Sequence, residues 1–422
     1  MTSTPAAAPS QPAVHPLKIG YFRTLWIVAT VSLLGDQFFL VALPWLVLKL
    51  SGSSLALGTI LMAEAVPRAA LMLVGGAVTD RFLPRKVLIA TGAIRIVLVA
   101  AIAALTGLGV IRLWHIYVLA CAFGVADAFS SPASAALLPS LVRPEQYAAA
   151  DSMLQGSAQL TTMIGPAPAG LAIKRWGLAP AFWIDAASFL GPVLALLWMP
   201  DQPLQPGAPA AAAQTVAPAI AAPPSVLRSI ADGLRYVVQD PSLRLLFVVS
   251  TVLNVCVAGP LAVGLAAMAN FRFGSAAAYG ILLSCFEGGA LAGMILAGAL
   301  PRLWHRGWLL TALTFATAFD LFGLAMVYRL VAVGALLAVM GLSAGFVNIQ
   351  IMSWIQSQVP PNMLGRLMSV LMFSAVGLTP ISFVLAGAAA GAHLAAMYLV
   401  AGALVLLTGA AMVLTGASRA IT

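Results

Sequence analysis

The chain has 422 residues, of which 62% are hydrophobic and only 8% charged, and its mean hydropathy is +1.02. A soluble domain carries about 25% charged residues, so a water-soluble enzyme or binding module is excluded. The net charge of +9 comes from Lys and Arg placed singly or in pairs at the ends of apolar runs, which excludes a nucleic-acid surface and fits the bias of loops flanking membrane spans.

The apolar runs are near-continuous rather than alternating, so the expected fold is an all-α polytopic membrane bundle and not a barrel. Residues 1–16 are rich in Pro and Ala and lack the apolar core of a signal peptide, and 1–22 read as a disordered cytoplasmic tail. A span needs roughly 20 apolar residues. Twelve such runs follow: 24–48, 54–76, 87–109, 114–138, 151–173, 178–199, 243–268, 276–299, 308–329, 331–354, 367–390 and 394–416. The first six form a bundle over 23–199 and the last six a second bundle over 243–416, with a short cytoplasmic tail at 417–422. Between them, 200–242 reads as a cytoplasmic linker. Its second part repeats Val226, Ile230, Leu234 and Val238 at helical period, with Arg228, Asp232 and Arg235 between them, which predicts an amphipathic surface helix.

With both termini cytoplasmic, the inner loops hold 13 Lys and Arg and the outer loops six. This bias supports the orientation. The halves echo each other: the segments 138–170 and 356–387 each turn through Pro and a basic residue and then open a span with an internal Pro, Pro166 or Pro380. Gly76 to Arg85 has a degraded copy at Gly298 to Gly307. Two similar six-helix halves with sites at their interface are a transporter architecture.

The sharpest local motif lies between spans two and three: Gly75-Gly76-Ala77-Val78-Thr79-Asp80-Arg81-Phe82-Leu83-Pro84-Arg85-Lys86. On Gly76, Asp80, Arg81, Arg85 and Lys86 the chain resembles the major facilitator superfamily, with Leu83 and Pro84 where Gly and Arg are usual. "SLLGDQFFLVALPWLV", "FWIDAASFL", "DGLRYVVQDPSLR" and "QSQVPPNMLGRLMSV" extend the resemblance along the chain, toward the drug-efflux and siderophore-export branch. The resemblance implies twelve spans in two pseudo-symmetric halves. It also implies a cytoplasmic latch in which Gly76 permits close packing, Asp80 sits near the start of span eleven, and Arg81, Arg85 and Lys86 complete the contact. In span five, Gly165-Pro166 and Gly170 resemble the family's antiporter motif, with Thr161 and Ala169 replacing glycines.

Half of the 12 Asp and Glu fall inside apolar runs: Asp36, Glu64, Asp127, Asp185, Glu287 and Asp320. Arg68 and Arg95 lie within spans two and three. A carboxylate in hydrocarbon costs several kcal/mol unless it is paired, neutralised or facing water. Glu64 and Arg68 are one helical turn apart and can pair. From family topology, Asp36 is expected to neutralise Arg95 or Arg68. These six residues, Asp36, Glu64, Arg68, Arg95, Asp127 and Glu287, are the candidate proton-coupling and substrate-cavity set. The alternative is a set of static ion pairs that lock helices. Asp185 and Asp320 read as structural acids.

Cys121, Cys256 and Cys285 fall inside spans and the four His show no ligand spacing, so no disulfide, metal or cofactor is expected. No phosphate-binding loop or nucleophile elbow occurs, so no enzyme is expected. The expected function is alternating-access transport by a monomer in a bacterial inner membrane, probed most directly as proton-coupled export of an amphipathic drug or siderophore. A lipid flippase, an importer of the same fold, a scaffold or a polytopic enzyme are the rivals.

Overall fold

A computed structural model describes residues 15–199, 235, 241–300, 306–358 and 377–414. The expected linker and its amphipathic helix, the start of span eleven and the C-terminal tail lie outside the described residues.

Spans one to four are single helices, α1 (Gly20–Ser51), α2 (Ser54–Arg81), α3 (Pro84–Gly107) and α4 (Leu113–Leu141). Span five is α5 (Tyr147–Ile164) followed by α6 (Pro166–Trp176), and span six is α7 (Leu178–Ser188) followed by α8 (Leu190–Trp198). Gly165 keeps helical dihedrals, φ −66° and ψ −41°, so the chain stays helical through the junction and only the missing Pro166 N–H interrupts it. Span seven is composite: α9 (Pro241–Gly259), a π-helical turn (Pro260–Gly264), α10 (Leu265–Met268) and a second π turn (Ala269–Phe273). Spans eight to ten are α11 (Ala276–Ala299), α12 (Arg306–Met326) and α13 (Leu330–Gln358). The last element, α14 (Thr379–Leu414), joins the described part of span eleven to span twelve. Its bend is at His393, whose φ −160° and ψ 109° are extended rather than helical.

Among the described residues, ten stretches are each long and apolar enough to cross a bilayer. Thr379–Leu414 contains two spans, and span five, interrupted at Pro166, is the twelfth. The helix boundaries follow local chemistry. Gly52 and Gly274 close their spans with left-handed φ values of 62° and 59°, which Cβ-bearing residues adopt at a cost. Ser53 caps α2 by accepting the Ala56 N–H at 3.2 Å. Two boundaries differ from expectation. Helix begins by Gly20 after a turn at Pro16–Lys18, and Phe22 is buried in a cluster with Leu137, Leu138 and Leu141, so residues 16–22 belong to the bundle and not to a tail. Span seven runs to Phe273 because its two wide turns use residues without advancing the axis as far.

The bundle has two ends. The distal end carries the junctions 52–53, 108–112, 177, 274–275 and 327–329. The halves meet closely there through small residues. A Cβ on Gly280 of α11 would strike the Pro166 carbonyl, and one on Gly170 of α6 would strike the Ala276 carbonyl. Gly58 of α2 lies against the Phe383 carbonyl, and Gly387 of α14 lies against Ser54 and Leu55. Such backbone-to-backbone seams are how helices associate without a hydrophobic driving force. The seam also carries a hydrogen bond: the Ala167 N–H donates to Ser284 Oγ at 3.1 Å.

Span seven is held open by a neighbour. The hydroxyl of Ser382 in α14 accepts the Gly259 N–H at 2.8 Å and donates to the Val255 carbonyl at 2.6 Å. Those two backbone groups would bond each other in a regular α-helix, so the hydroxyl is inserted into the ladder just before Pro260. Tyr398, further along α14, donates to the Pro260 carbonyl at 3.2 Å.

At the distal end Arg272 caps span nine. Its guanidinium donates to the carbonyls of Leu324 and Val327 at 3.0 Å and of Ala325 at 3.1 Å, and lies 4.5 Å from the Tyr328 ring centre. Orphan carbonyls at a helix C-terminus favour such a cation. Arg272→Ala is therefore expected to lower stability by about 2 kcal/mol. Arg272→Lys should recover less than half of it, because a single ammonium cannot reach three carbonyls. Thermal unfolding in detergent checks both; an unchanged midpoint for Arg272→Ala would remove the capping role.

Candidate functional site

A cavity of about 510 Å³ lies between the halves. α1, α2, α3 and α4 contribute Asp36, Glu64, Arg68, Arg95 and Asp127, and α11 contributes Glu287. All six expected cavity residues therefore face one space. Its apolar wall includes Phe39, Phe123, Tyr279, Phe286 and Phe383.

The charges are wired differently from expectation. Asp127 is the shared partner of both arginines: Arg95 Nη2 bonds its Oδ1, and Arg68 Nη1 reaches its Oδ2 at 3.5 Å. Asp36 forms no ion pair with either arginine, and Arg68 turns to Asp127 rather than to Glu64. The reason is geometric. Gly124 lets α4 approach until a Cβ there would strike the Glu64 carbonyl, and this brings Asp127, one turn further along α4, between α2 and α3. Arg95 is further fixed by aromatic faces, 5.1 Å from the Phe123 ring centre and 5.5 Å from that of Phe189. Phe123 in turn stacks on Phe39 at 4.9 Å. Among the described residues, Asp36, Glu64 and Glu287 face the cavity with no basic group within 4 Å, although the charge of Arg95 reaches Asp36 and those of Arg68 and Arg95 reach Glu64. Glu287 stands opposite Gln159 and Thr162 of α5, across the junction of the halves.

Asp36 and Arg95 also line a second chamber of about 360 Å³ inside the first half, whose wall includes Phe22, Trp26, Ser130, Ser134 and Gln155. These two side chains thus stand between two spaces. Of the two acids read as structural, Asp185 is fully buried and neither carboxylate oxygen has a partner among the described residues; Asp320 is also buried, and its Oδ2 has none there. None of these three oxygens ties its helix to a described neighbour.

The latch motif is partly visible. Gly76 faces open space, whereas the close approach belongs to Gly75, whose Cβ would strike the Ala128 carbonyl. The sequence carries both glycines, and only the helix phase tells them apart. Arg85 donates to the carbonyls of Leu196 at 2.6 Å and Leu197 at 3.1 Å, capping span six. Arg81 and Lys86 are exposed. The side chain of Asp80 and the start of span eleven lie outside the described residues. In the antiporter-like motif, Gly165 packs on Gln37 of α1, while Pro166 and Gly170 form the seam with α11.

A twelve-span bundle whose halves enclose a charge-bearing cavity is the architecture of a secondary transporter. The profile of the Major Facilitator Superfamily matches residues 25–382. The chain belongs to that superfamily. The Multidrug efflux pump Tap of Mycolicibacterium fortuitum is 28% identical over 242 residues, a match spanning 56% of each protein. Macrolide efflux protein A of Streptococcus pyogenes is 25% identical over 361 residues, covering 83% of this chain and 84% of that protein. Among solved structures, the nucleoside transporter NupG superposes with TM-score 0.69 at 14% identity, covering 93% of this chain and 98% of its own. A bacterial homologue of the iron transporter ferroportin, in its inward-facing state, does so with TM-score 0.69 at 17% identity, covering 93% and 98%. At these identities the superpositions establish the fold.

Proposed function

We propose that this protein exports an amphipathic organic compound in exchange for protons, as a monomer in a bacterial inner membrane with both termini cytoplasmic. One observation carries the reading: Asp36, Glu64 and Glu287 face the cavity between the halves without a direct ion pair among the described residues, Asp127 being the carboxylate that both arginines contact. A carboxylate so placed can exchange a proton with water when the cavity opens, and a bound substrate competes for the same charge. Taking up the proton removes the charge that the substrate uses, so protonation and substrate release reinforce each other. The aromatic wall suits the apolar part of the compound. The likeness to Tap and to macrolide efflux protein A supports export, and drugs of that kind are the substrates to try first. The closed distal seam fits an inward-facing state, with the latch of Gly76, Asp80, Arg81, Arg85 and Lys86 engaged in the opposite one. The two six-helix halves, the first beginning at Pro16 and the second at Pro241, are the two rocking bodies, and the segment between them is their connection.

The test is proton movement in proteoliposomes on adding a panel of amphipathic drugs and siderophores, for wild type and Asp36→Asn. The expected result is drug-driven proton flux in wild type and its loss in the variant. Because protons enter as substrate leaves, acidifying the external side should speed export and a protonophore should stop it. Transport by wild type with no proton flux would leave a facilitator or lipid carrier instead.

A further inference from the structure

We propose that a chamber inside the second half is a subsite for an uncharged, hydroxyl-bearing part of the transported molecule, such as a neutral sugar substituent. The proposal rests on the exporter reading above and adds what the cargo must carry. The chamber, about 350 Å³, lies among α9, α12 and α13, and it shares Ala258 and Leu261 of span seven with the central cavity. The two spaces therefore adjoin across span seven. Its size falls within the roughly 300–1,000 Å³ of small-molecule pockets.

Six uncharged polar side chains line it: Ser250, Asn254, Thr314, Thr317, Ser343 and Asn348, with no charged residue among the described residues of the wall. Three of them donate within their own helices. Asn254 Nδ2 bonds the Ser250 carbonyl at 2.9 Å, and the hydroxyls of Thr314 and Thr317 bond the carbonyls of Leu310 and Leu313 at 2.8 and 3.0 Å. Their oxygens keep lone pairs for a donor-rich ligand. Ser343 is only 2% exposed yet makes no hydrogen bond among the described residues, and neither does the side chain of Asn348. Both side chains line the chamber with their hydrogen-bonding capacity unused by described neighbours, so a ligand hydroxyl could take it up.

The internal repeat sharpens the point. The copy of Gly76 to Arg85 at Gly298 to Gly307 places Thr317 in span nine where Arg95 stands in span three. α4 and α13 are both 29 residues long, which places Ala344 in span ten where Asp127 stands in span four. Thr317 and Ala344 both line the chamber. Where the first half holds its central ion pair, the second holds a hydroxyl and a methyl. A charged group there would lack compensation, whereas a neutral polyol finds acceptors and apolar contacts.

The experiment uses the full chain in nanodiscs and measures equilibrium binding of a glycosylated macrolide and of the same macrolide with only its neutral sugar removed. Wild type should bind the complete compound about tenfold more tightly, the difference expected from one or two hydrogen bonds. Thr317→Val and Ser343→Ala, each close in size to the original, should shrink that ratio toward one and leave the trimmed compound's affinity unchanged. A ratio of one in wild type, equal weakening of both compounds by the variants, or failure of wild type to bind either would overturn the proposal. Retained discrimination in a protein that moves no protons would instead overturn the exchange mechanism and leave the subsite standing.

Discussion

Asp127→Asn is expected to abolish coupled transport and to lower stability by about 3 kcal/mol. This one carboxylate neutralises two arginines from two different helices, and Arg95 is only 14% exposed. Removing one partner of a buried pair leaves the other charge uncompensated, which costs about 3–5 kcal/mol. The Arg68 contact adds little, because it is long at 3.5 Å and Arg68 is 37% exposed. The transport loss follows separately. With its counter-ion gone, Arg95 is free to seek Asp36, the other acid that lines the same two spaces, and would hold the carboxylate proposed to carry the proton. Pairing Asp127→Asn with Arg95→Gln should restore much of the stability and none of the transport. Thermal unfolding and proteoliposome flux together decide this. A singly substituted Asp127→Asn protein that unfolds and transports like wild type would show the triad to be incidental.

Gly280→Val should leave the fold intact and uncouple the transporter. The Pro166 carbonyl and the Gly170 backbone occupy the space that a Cβ at Gly280 needs, and backbone atoms in two packed helices cannot move aside cheaply. The distal seam would then be held apart, and a cycle that needs it closed would run at about a hundredth of the normal rate, the scale that a displacement of about 1 Å can impose on a positioned system. The same gap should admit solute, so a cysteine placed at Ala277 should become reactive to a polar thiol reagent added on the distal side. Gly298→Val is the matched control, because a Cβ there meets no described atom within 4 Å. Normal coupling in the Gly280→Val protein would mean that the seam is a packing detail and no gate.

Much of the architecture was legible because the bilayer leaves few choices. Apolar run length gave the spans, and the latch motif placed the chain in its family. The cavity residues were legible for a related reason: hydrocarbon penalises Asp and Arg so heavily that their mere presence points inward. Their partners were not. Whether Arg68 pairs with Glu64, one turn away, or with Asp127, on another helix, depends on how close α4 comes, and that distance is set by the absence of a side chain at Gly124. The two glycines of the latch posed a similar problem, since Gly75 and Gly76 differ only in helical phase. The uncharged second chamber left no clear trace, because Thr and Asn within spans usually bond their own helix. Pro260 offered a clue to the irregular span seven, but a proline alone does not reveal that a hydroxyl from a distant helix occupies the broken rung.

That hydroxyl has a mechanical consequence. Ser382 fastens α14 to span seven, and its neighbours Phe383 and Gly387 form the contact with α2. One short stretch of chain is thus a weld on one side and a zip on the other. If the halves part at the distal end, as the proposed cycle requires, the α2 contact separates while the span-seven bond stays within its own half. Because the two contacts lie within six residues of one helix, a force that unzipped the seam would bear directly on the interrupted rung of span seven. In the proposed cycle, opening at the distal end would thereby be felt by the helix that borders both the central cavity and the uncharged chamber beside it.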